Sequence, residues 1–218
     1  MTTAATTTPV HLARLTLNPR SRHVHDDLRD HTKLHRRVSS LFPDHAATSA
    51  RTTHNVLYRL EAERTGATLL IQSTVITINR NALPANYTAT APEHREITPL
   101  LDWLRPGTAI RYRIDANPIK SRPRSRTRTP LTGEAAITWW ERKAATAGLS
   151  PSVILDTPQP PVLATRKGQP RARLTVTRFE GIATITDPES MRHALTTGIG
   201  QGRVYGLGLL SVAPHHEQ

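Results

Sequence analysis

Two histidines lie four residues apart in this chain, at positions 31 and 35. If the segment is helical, His31 and His35 share one face, one turn apart. Histidine can give or take a proton near neutral pH, and a pair at this spacing can also hold a divalent metal. Asp27 lies one turn earlier, but no other ligand stands at a spacing typical of a metal site, and no glutamate lies between the histidines. Acid–base chemistry is favoured, and a metal-dependent hydrolase stays open.

A glycine-rich run lies near the C-terminus and contains Arg203. Its five glycines fall within eleven residues: Gly198, Gly200, Gly202, Gly206 and Gly208. Because glycine tolerates positive φ and close approach, such a run can present backbone amides to phosphates. Nucleotide motifs whose glycines follow a strand and open a helix do not fit, and no Gly-Lys-Ser/Thr is present. We expect a phosphate-contacting loop that leads into a last strand at residues 207–212.

The charge balance points to a polyanionic partner. The 218 residues include 29 Lys and Arg against 17 Asp and Glu, a formal net charge of +12. Arginine pairs bidentately with phosphates, and a GC-rich genome would explain arginine in place of lysine but not the excess of base over acid. The absence of cysteine excludes thiolate zinc sites, disulfides and cysteine nucleophiles. With no signal peptide and no membrane-length apolar run, we expect a soluble, cytoplasmic protein without a membrane partner.

The hydrophobic pattern of the first half predicts the order β-α-β-β. The elements are a strand at residues 10–18, a helix at 25–42 and a hairpin of strands at 55–62 and 68–78. Residues 79–96 are expected to be irregular. Residues 97–104 have helical spacing interrupted by Pro99, and we leave them unassigned.

The second half repeats this order and completes it. The elements are a strand at residues 108–114, a helix at 133–148 with Ala135, Ile137, Trp140 and Ala144 inward, extended segments at 153–163 and 171–187, a helix at 188–197 started by Asp187, and the last strand. The chain is therefore predicted to be α+β, with tandem ferredoxin-like (β-α-β-β-α-β) domains at residues 10–100 and 101–218 after a flexible N-terminus at 1–9.

Two arginine-rich segments extend the basic surface. The first, expected between a strand and a helix, carries Lys120, Arg122, Arg124, Arg126 and Arg128. The second, expected at a turn between two strands, carries Arg166, Lys167, Arg171 and Arg173. Either segment can contact RNA or be a solvated charge run.

Aromatic residues are too few for base stacking on an open sheet: three Trp, four Tyr and two Phe. For Trp139 and Trp140, core packing is favoured over a stacking platform. We therefore expect any bound RNA to be held by arginines and by its shape.

Three motifs in this order, at residues 34–43, 111–120 and 198–214, resemble the CRISPR-associated endoribonuclease CasE family over about residues 10–214. The resemblance implies a metal-independent ribonuclease, without a cofactor, that cuts CRISPR repeat RNA at the base of its stem-loop. It implies a product with a 2′,3′-cyclic phosphate that stays bound, and membership of the type I-E Cascade complex beside its other subunits. It also implies tandem ferredoxin-like domains.

The resemblance assigns roles to individual residues. His35 matches the family's catalytic histidine, whereas the position that often holds a tyrosine is Thr32, a far weaker acid. His31, on the same face, is then the candidate second group. Arg36 and Arg37 can supply charge to the phosphate, although Arg36 is equally well explained as a solvated residue. The turn at residues 166–173 matches a basic hairpin that would enter the major groove of the repeat stem.

Two other functions remain open at this point. One is an RNA-binding protein without catalysis, which the charge and the glycine-rich run fit equally well. The other is the metal-dependent hydrolase built on His31 and His35.

Overall fold

The computed structural model describes residues 9–43, 54–63, 66–75, 79–121, 128–165, 168 and 170–215. Its strands are β1 (His11–Leu17), β2 (Leu57–Glu63), β3 (Gly66–Ser73), β4 (Glu93–Glu96), β5 (Ala109–Ala116), β6 (Ile119–Ser121), β7 (Arg128–Pro130), β8 (Leu149–Ala164), β9 (Ala172–Ile185) and β10 (Ser211–Pro214). Its helices are α1 (Arg22–Arg29), α2 (His31–Ser39), α3 (Thr98–Trp103), α4 (Glu134–Thr146) and α5 (Pro188–Thr197). Within these ranges no helix combines the length and apolarity needed to cross a membrane.

The first half is a four-stranded antiparallel sheet in the order β2-β3-β1-β4. Alternation along β1 turns Ala13, Leu15 and Leu17 to one buried face, as expected for a strand with one side on a core. Leu34 and Val38 of α2 pack in the same hydrophobic cluster. The helices α1 and α2 therefore cover this face and leave their other sides for contacts beyond the sheet.

The second half is a four-stranded antiparallel sheet in the order β10-β5-β9-β8. Among the elements of this sheet and its helices, the chain order β5-α4-β8-β9-α5-β10 matches the predicted β-α-β-β-α-β order, and the separate β6–β7 pair is inserted between β5 and α4. The two sheets place corresponding strands in corresponding positions. In the first half, the described residues between β3 and β4 hold a single 3-10 turn, Arg80–Ala82, and no second α-helix.

The helix predicted at residues 25–42 was wrong in its extent, because two helices occupy the segment. Asp30 interrupts it with an extended backbone (φ −142°, ψ 102°), and its side chain accepts a hydrogen bond from the backbone N–H of Thr32. A carboxylate that caps a helix N-terminus satisfies an otherwise unpaired donor, so Asp30 ends α1 and starts α2. The apolar pattern continues across the break, which is why the sequence concealed it.

Other boundaries also differ from the prediction. The irregular segment contains β4, whose four side chains are all exposed and therefore show no alternation. The unassigned segment contains α3, with Pro99 in its first turn, where a missing N–H costs nothing. The last strand begins at Ser211 rather than at residue 207, and Ala135 is exposed where Ala136 is buried.

Trp139 and Trp140 both lie in the core of the second half, as favoured from the sequence. The ring of Phe179 stacks on both, with centroids 6.2 Å from Trp139 and 5.5 Å from Trp140. The indole Nε1 of Trp140 donates to the Tyr112 hydroxyl at 3.1 Å. Neither ring is therefore a free platform for stacking bases.

A buried arginine joins the two halves. Arg59 of β2 is 2% exposed, and its guanidinium donates to the Leu209 carbonyl at 3.0 Å and to the Ser211 hydroxyl at 3.0 Å. Its Nε donates to Glu61 at 2.7 Å, and Glu61 also pairs with Arg178 of β9 at 2.8 Å. Burial alone would raise the pKa of Glu61, but the adjacent guanidinium groups of Arg59 and Arg178 lower it. A carboxylate shared by two arginines thus fixes β2 against the second sheet.

We predict that Arg59→Met lowers the free energy of unfolding by about 3 kcal/mol. Removing the guanidinium leaves the other buried polar groups of this network without a partner. Chemical denaturation measures this. The matched control is Arg14→Met, which removes an exposed pair with Glu93 at 3.7 Å and should change stability by no more than about 0.5 kcal/mol. Equal denaturation midpoints for the two variants would contradict the role given to Arg59.

Candidate functional site

The helix α2 carries both histidines to the junction between the two halves. Leu34 and Val38 anchor its inner face in the first core, whereas its other side packs against β8 and against a 3-10 turn, Arg203–Tyr205, in the glycine-rich run. His35 is half-buried at this junction. The helix that carries the residue singled out by the sequence therefore lies where the glycine-rich run meets the first half.

His31 lies on the same helix but is held more closely than expected. The backbone of Leu163 in β8 lies beside its ring, and its Nδ1 is buried without a hydrogen-bond partner. Burial lowers the pKa of His31, although the Leu163 backbone and the charge of Asp30 act in the opposite direction. A lowered pKa favours the neutral ring near pH 7, a form that can accept a proton.

Asp27 and Arg37, both considered for the site, contact each other instead. The Nε of Arg37 donates to the Asp27 carboxylate at 3.0 Å, and the Tyr87 hydroxyl donates to the same carboxylate at 2.9 Å. The guanidinium of Arg37 also lies over the Tyr87 ring, 5.3 Å from its centroid. This placement does not support the predicted phosphate contact of Arg37. Among the described residues, no three His, Asp or Glu side chains converge in a way that could hold a metal.

Arg36 and Thr32 complete the surroundings of His35. Arg36 is exposed, as either a phosphate contact or a solvated residue would be. Thr32 is half-buried, and its side chain lies beside the Asp30 carboxylate. The position that holds a tyrosine in the resemblance thus faces protein rather than solvent.

The glycine-rich run is shaped by its own packing. All five of its glycines have positive φ, between 76° and 85°. A Cβ on Gly206 would lie 2.7 Å from the Tyr58 ring, and one on Gly208 would collide with the Ile199 carbonyl. The amide of Gly208 donates to Asp115 at 2.8 Å and that of Gly198 to Ala194 at 2.9 Å.

Two of the predicted phosphate-contacting amides remain available to a ligand. Within the described ranges, the backbone N–H groups of Gly200 and Gly202 have no protein acceptor. Arg203, by contrast, donates to the carbonyls of Thr197 and Gly198 at 2.7 Å and 3.4 Å and so caps the end of α5. The run therefore offers fewer donors than its sequence suggests.

A basic groove of about 1100 Å³ lies between α4 and α5, with the glycine-rich run at one end. It brings together four of the predicted RNA-binding residues: Lys120, Gly198, Gly200 and Arg203. It adds three basic residues that the sequence reasoning missed: Arg142, Lys143 and His193. Their spacing with Thr146, Glu189 and Thr197 along exposed helix faces was the available signal.

Comparisons with known proteins show the family to which the chain belongs. A family model described as CRISPR associated protein matches residues 10–214. The CRISPR-associated endoribonuclease Cse3 of Thermus thermophilus is 31% identical over 216 residues, covering 93% of this chain and 99% of that protein. The Cascade subunit CasE of Escherichia coli is 27% identical, covering 85% of this chain and 93% of that protein. The chain belongs to the Cse3/CasE family of CRISPR endoribonucleases.

Solved structures of the Cse3/CasE family share this fold. A structure of Thermus thermophilus Cse3 bound to an RNA representing a pre-cleavage complex has a TM-score of 0.78 and 27% identity, covering 94% of this chain and 100% of that one. A chain of a CRISPR RNA-guided surveillance complex has a TM-score of 0.71 and 29% identity, with the same coverage. The crystal structure of Cas6e from Escherichia coli has a TM-score of 0.67.

The described residues include only part of the two arginine-rich segments. Arg122, Arg124, Arg126, Arg166 and Lys167 lie outside the described residues. Arg128, Arg171 and Arg173 are exposed, and the hairpin of β8 and β9 carries the last two. Arg171 donates to the Arg29 carbonyl at the end of α1. Arg171 thus lies beside the α1–α2 junction, whereas Lys120 and Arg128 belong to β6 and β7.

We predict that Gly208→Ala destabilises the protein by more than the control Gly107→Ala. Both glycines have φ near 80°, where an alanine costs about 1–2 kcal/mol, but a Cβ on Gly107 would meet nothing within 4 Å. The collision at Gly208 should add about 1–3 kcal/mol, measurable by chemical denaturation. If the two variants unfold at the same denaturant concentration, the run is not held by its own packing.

Proposed function

We propose that this chain is a metal-independent endoribonuclease that cuts CRISPR repeat RNA at the base of its stem-loop and leaves a 2′,3′-cyclic phosphate. The supporting observation is the position of His35, on a helix that meets the glycine-rich run, in a member of a family of CRISPR endoribonucleases. We also propose that the product stays bound and that the protein acts in the cytoplasm. We propose that it acts there as a Cascade subunit, because its Escherichia coli relative is named as one.

The two halves are proposed to be tandem ferredoxin-like domains, with a boundary near residue 100. Their equivalent strand orders support this assignment. Leu101 and Leu104, at the end of α3, pack in the core of the second half, which agrees with a boundary just before them.

The reaction requires little beyond positioning and proton transfer. The RNA's own 2′-hydroxyl attacks the adjacent phosphorus in line, its proton goes to a base, and the departing 5′-oxygen receives a proton from an acid. His35 performs one of these transfers. We propose that Arg36 and the amides of Gly200 and Gly202 stabilise charge on the phosphorane.

His31 was predicted as the second catalytic group, and its contacts restrict that role. The backbone of Leu163 lies beside its ring, and its Nδ1 is buried. The ring would therefore have to move to reach RNA. A contribution through the position of α2 needs no such movement. The identity of the second proton-transfer group is therefore a separate question from that of His35.

We propose that cationic side chains of the second half grip the RNA. Arg173 and Arg128 are exposed, and Lys120, Arg142 and Lys143 line the basic groove. Contacts of this kind release counterions and make affinity depend on salt. Such contacts position the RNA, whereas contacts with base edges would specify its sequence.

We predict that His35→Ala slows cleavage of a repeat stem-loop by about 10²-fold or more, the usual scale for a positioned acid or base. Stem-loop affinity should be nearly unchanged, because one side chain among many phosphate contacts is lost. Single-turnover cleavage and a binding titration measure the two quantities. His23→Ala, an exposed histidine on α1, is the matched control and should cleave normally.

The same assay separates this function from the two alternatives. Cleavage that survives excess EDTA supports the metal-independent reaction, whereas loss in EDTA that Zn²⁺ or Mn²⁺ restores would support the His31/His35 metal site. Binding without any cut by the wild-type protein would leave the non-catalytic RNA-binding function.

We predict that Arg173→Ala weakens stem-loop binding and lowers the slope of log affinity against log salt by about one, for one lost phosphate contact. Titrations at several salt concentrations measure this slope. Arg95→Ala, on the exposed β4 edge of the first sheet, is the matched control and should leave the slope unchanged. An unaltered slope for Arg173→Ala would show that this hairpin residue is only solvated.

A further inference from the structure

The tip of the β8–β9 hairpin touches the first half at the break between α1 and α2. Three contacts meet there: the Thr165 backbone N–H with Asp30, the guanidinium of Arg171 with the Arg29 carbonyl, and the ring of His31 with the Leu163 backbone. The hairpin belongs to the second sheet, and these contacts extend it onto the helix that carries His35. Three consecutive residues, 29–31, thus contact Leu163, Thr165 and Arg171 of the hairpin.

Asp30 serves both elements through one oxygen atom. Its Oδ1 accepts the N–H of Thr32 at 3.0 Å, which caps α2, and the N–H of Thr165 at 3.2 Å, which holds the hairpin. Burial tends to raise the pKa of Asp30, but these hydrogen bonds lower it, so the group is a carboxylate near neutral pH. A charged acceptor forms stronger bonds than a neutral one. The start of α2 and the position of the hairpin are therefore set by the same group.

We propose that Asp30 is a positioning residue that couples the hairpin's grip on RNA to the placement of His35. This inference rests on the proposed function, because the hairpin carries Arg173 and α2 carries His35. An RNA bound by the hairpin then has a fixed position relative to α2. His35 lies on this helix, five residues after Asp30. The consequence is that loss of the link should separate tight binding from fast cleavage.

Two substitutions at this position distinguish the link from the helix cap. Ser is as good an N-cap as Asp, so Asp30→Ser keeps the start of α2, but its shorter side chain cannot also reach Thr165. Asn has the length of Asp and a carbonyl oxygen, so Asp30→Asn keeps both contacts and removes only the charge. The two variants therefore test the contact with Thr165 while the capping of α2 stays nearly unchanged.

Single-turnover cleavage at saturating stem-loop RNA is the main measurement. A small misplacement of a catalytic group can cost up to about 10²-fold in rate, so we expect Asp30→Ser to cleave about tenfold to 10²-fold more slowly. Its affinity for the stem-loop and its denaturation midpoint should stay close to those of the wild type. Asp30→Asn should restore most of the rate. Asp30→Ser that cleaves at the wild-type rate, or that loses affinity in proportion to rate, would overturn the proposal.

Hydrogen exchange provides a measurement that does not depend on cleavage. If the link exists, binding of the stem-loop should increase amide protection in α2 of the wild type and of Asp30→Asn, but not in Asp30→Ser. Equal protection in all three proteins would overturn the coupling. Failure of the wild type to cut RNA would instead contradict the proposed function, and the exchange result would still decide whether the hairpin and α2 are coupled.

Discussion

The burial of Arg59 between the two halves is the constraint on which the rest of the structure depends. Removing a guanidinium from water costs several kcal/mol unless it is paired and hydrogen-bonded, so its position requires Glu61 and the acceptors of residues 209 and 211 at fixed places. Arg178 extends the network to Asp115 by two bonds, at 2.7 Å and 2.9 Å. The two sheets can therefore adopt few relative orientations without leaving a buried charge unpaired.

This fixed orientation assembles a site from segments far apart in the chain. The helix α2 comes from the first half, whereas the glycine-rich run and the β8–β9 hairpin come from the second. The Tyr58 hydroxyl, which donates to the Val204 carbonyl at 2.8 Å, ties the run to β2 at the same interface. In the function we propose, the first half supplies the reacting group and the second half holds the RNA, so neither half suffices alone.

The sequence predicted the features that depend on local periodicity, and it missed those that depend on tertiary contacts. Alternation located β1 and β5, and the capping residue Asp187 located the start of α5, where its side chain accepts from the amides of Glu189 and Ser190. The break at Asp30 was hidden because the apolar spacing runs through it. The sequence predicted Arg37 to be available for phosphate because its partner Tyr87 lies fifty residues away in the chain. It predicted the glycines to form a phosphate-contacting loop, but at three of them close packing against Tyr58, Leu207 or Ile199 already requires glycine.

The central claim is that the RNA's own 2′-hydroxyl is the nucleophile, positioned against His35. The most direct test uses a repeat stem-loop in which the nucleotide immediately upstream of the cut lacks this hydroxyl. We predict that this RNA binds as tightly as the unmodified RNA but is not cut. The unmodified RNA should yield a 2′,3′-cyclic phosphate. Cleavage of the deoxy-substituted RNA at the same position would contradict the account, because the attacking oxygen would then have to come from water.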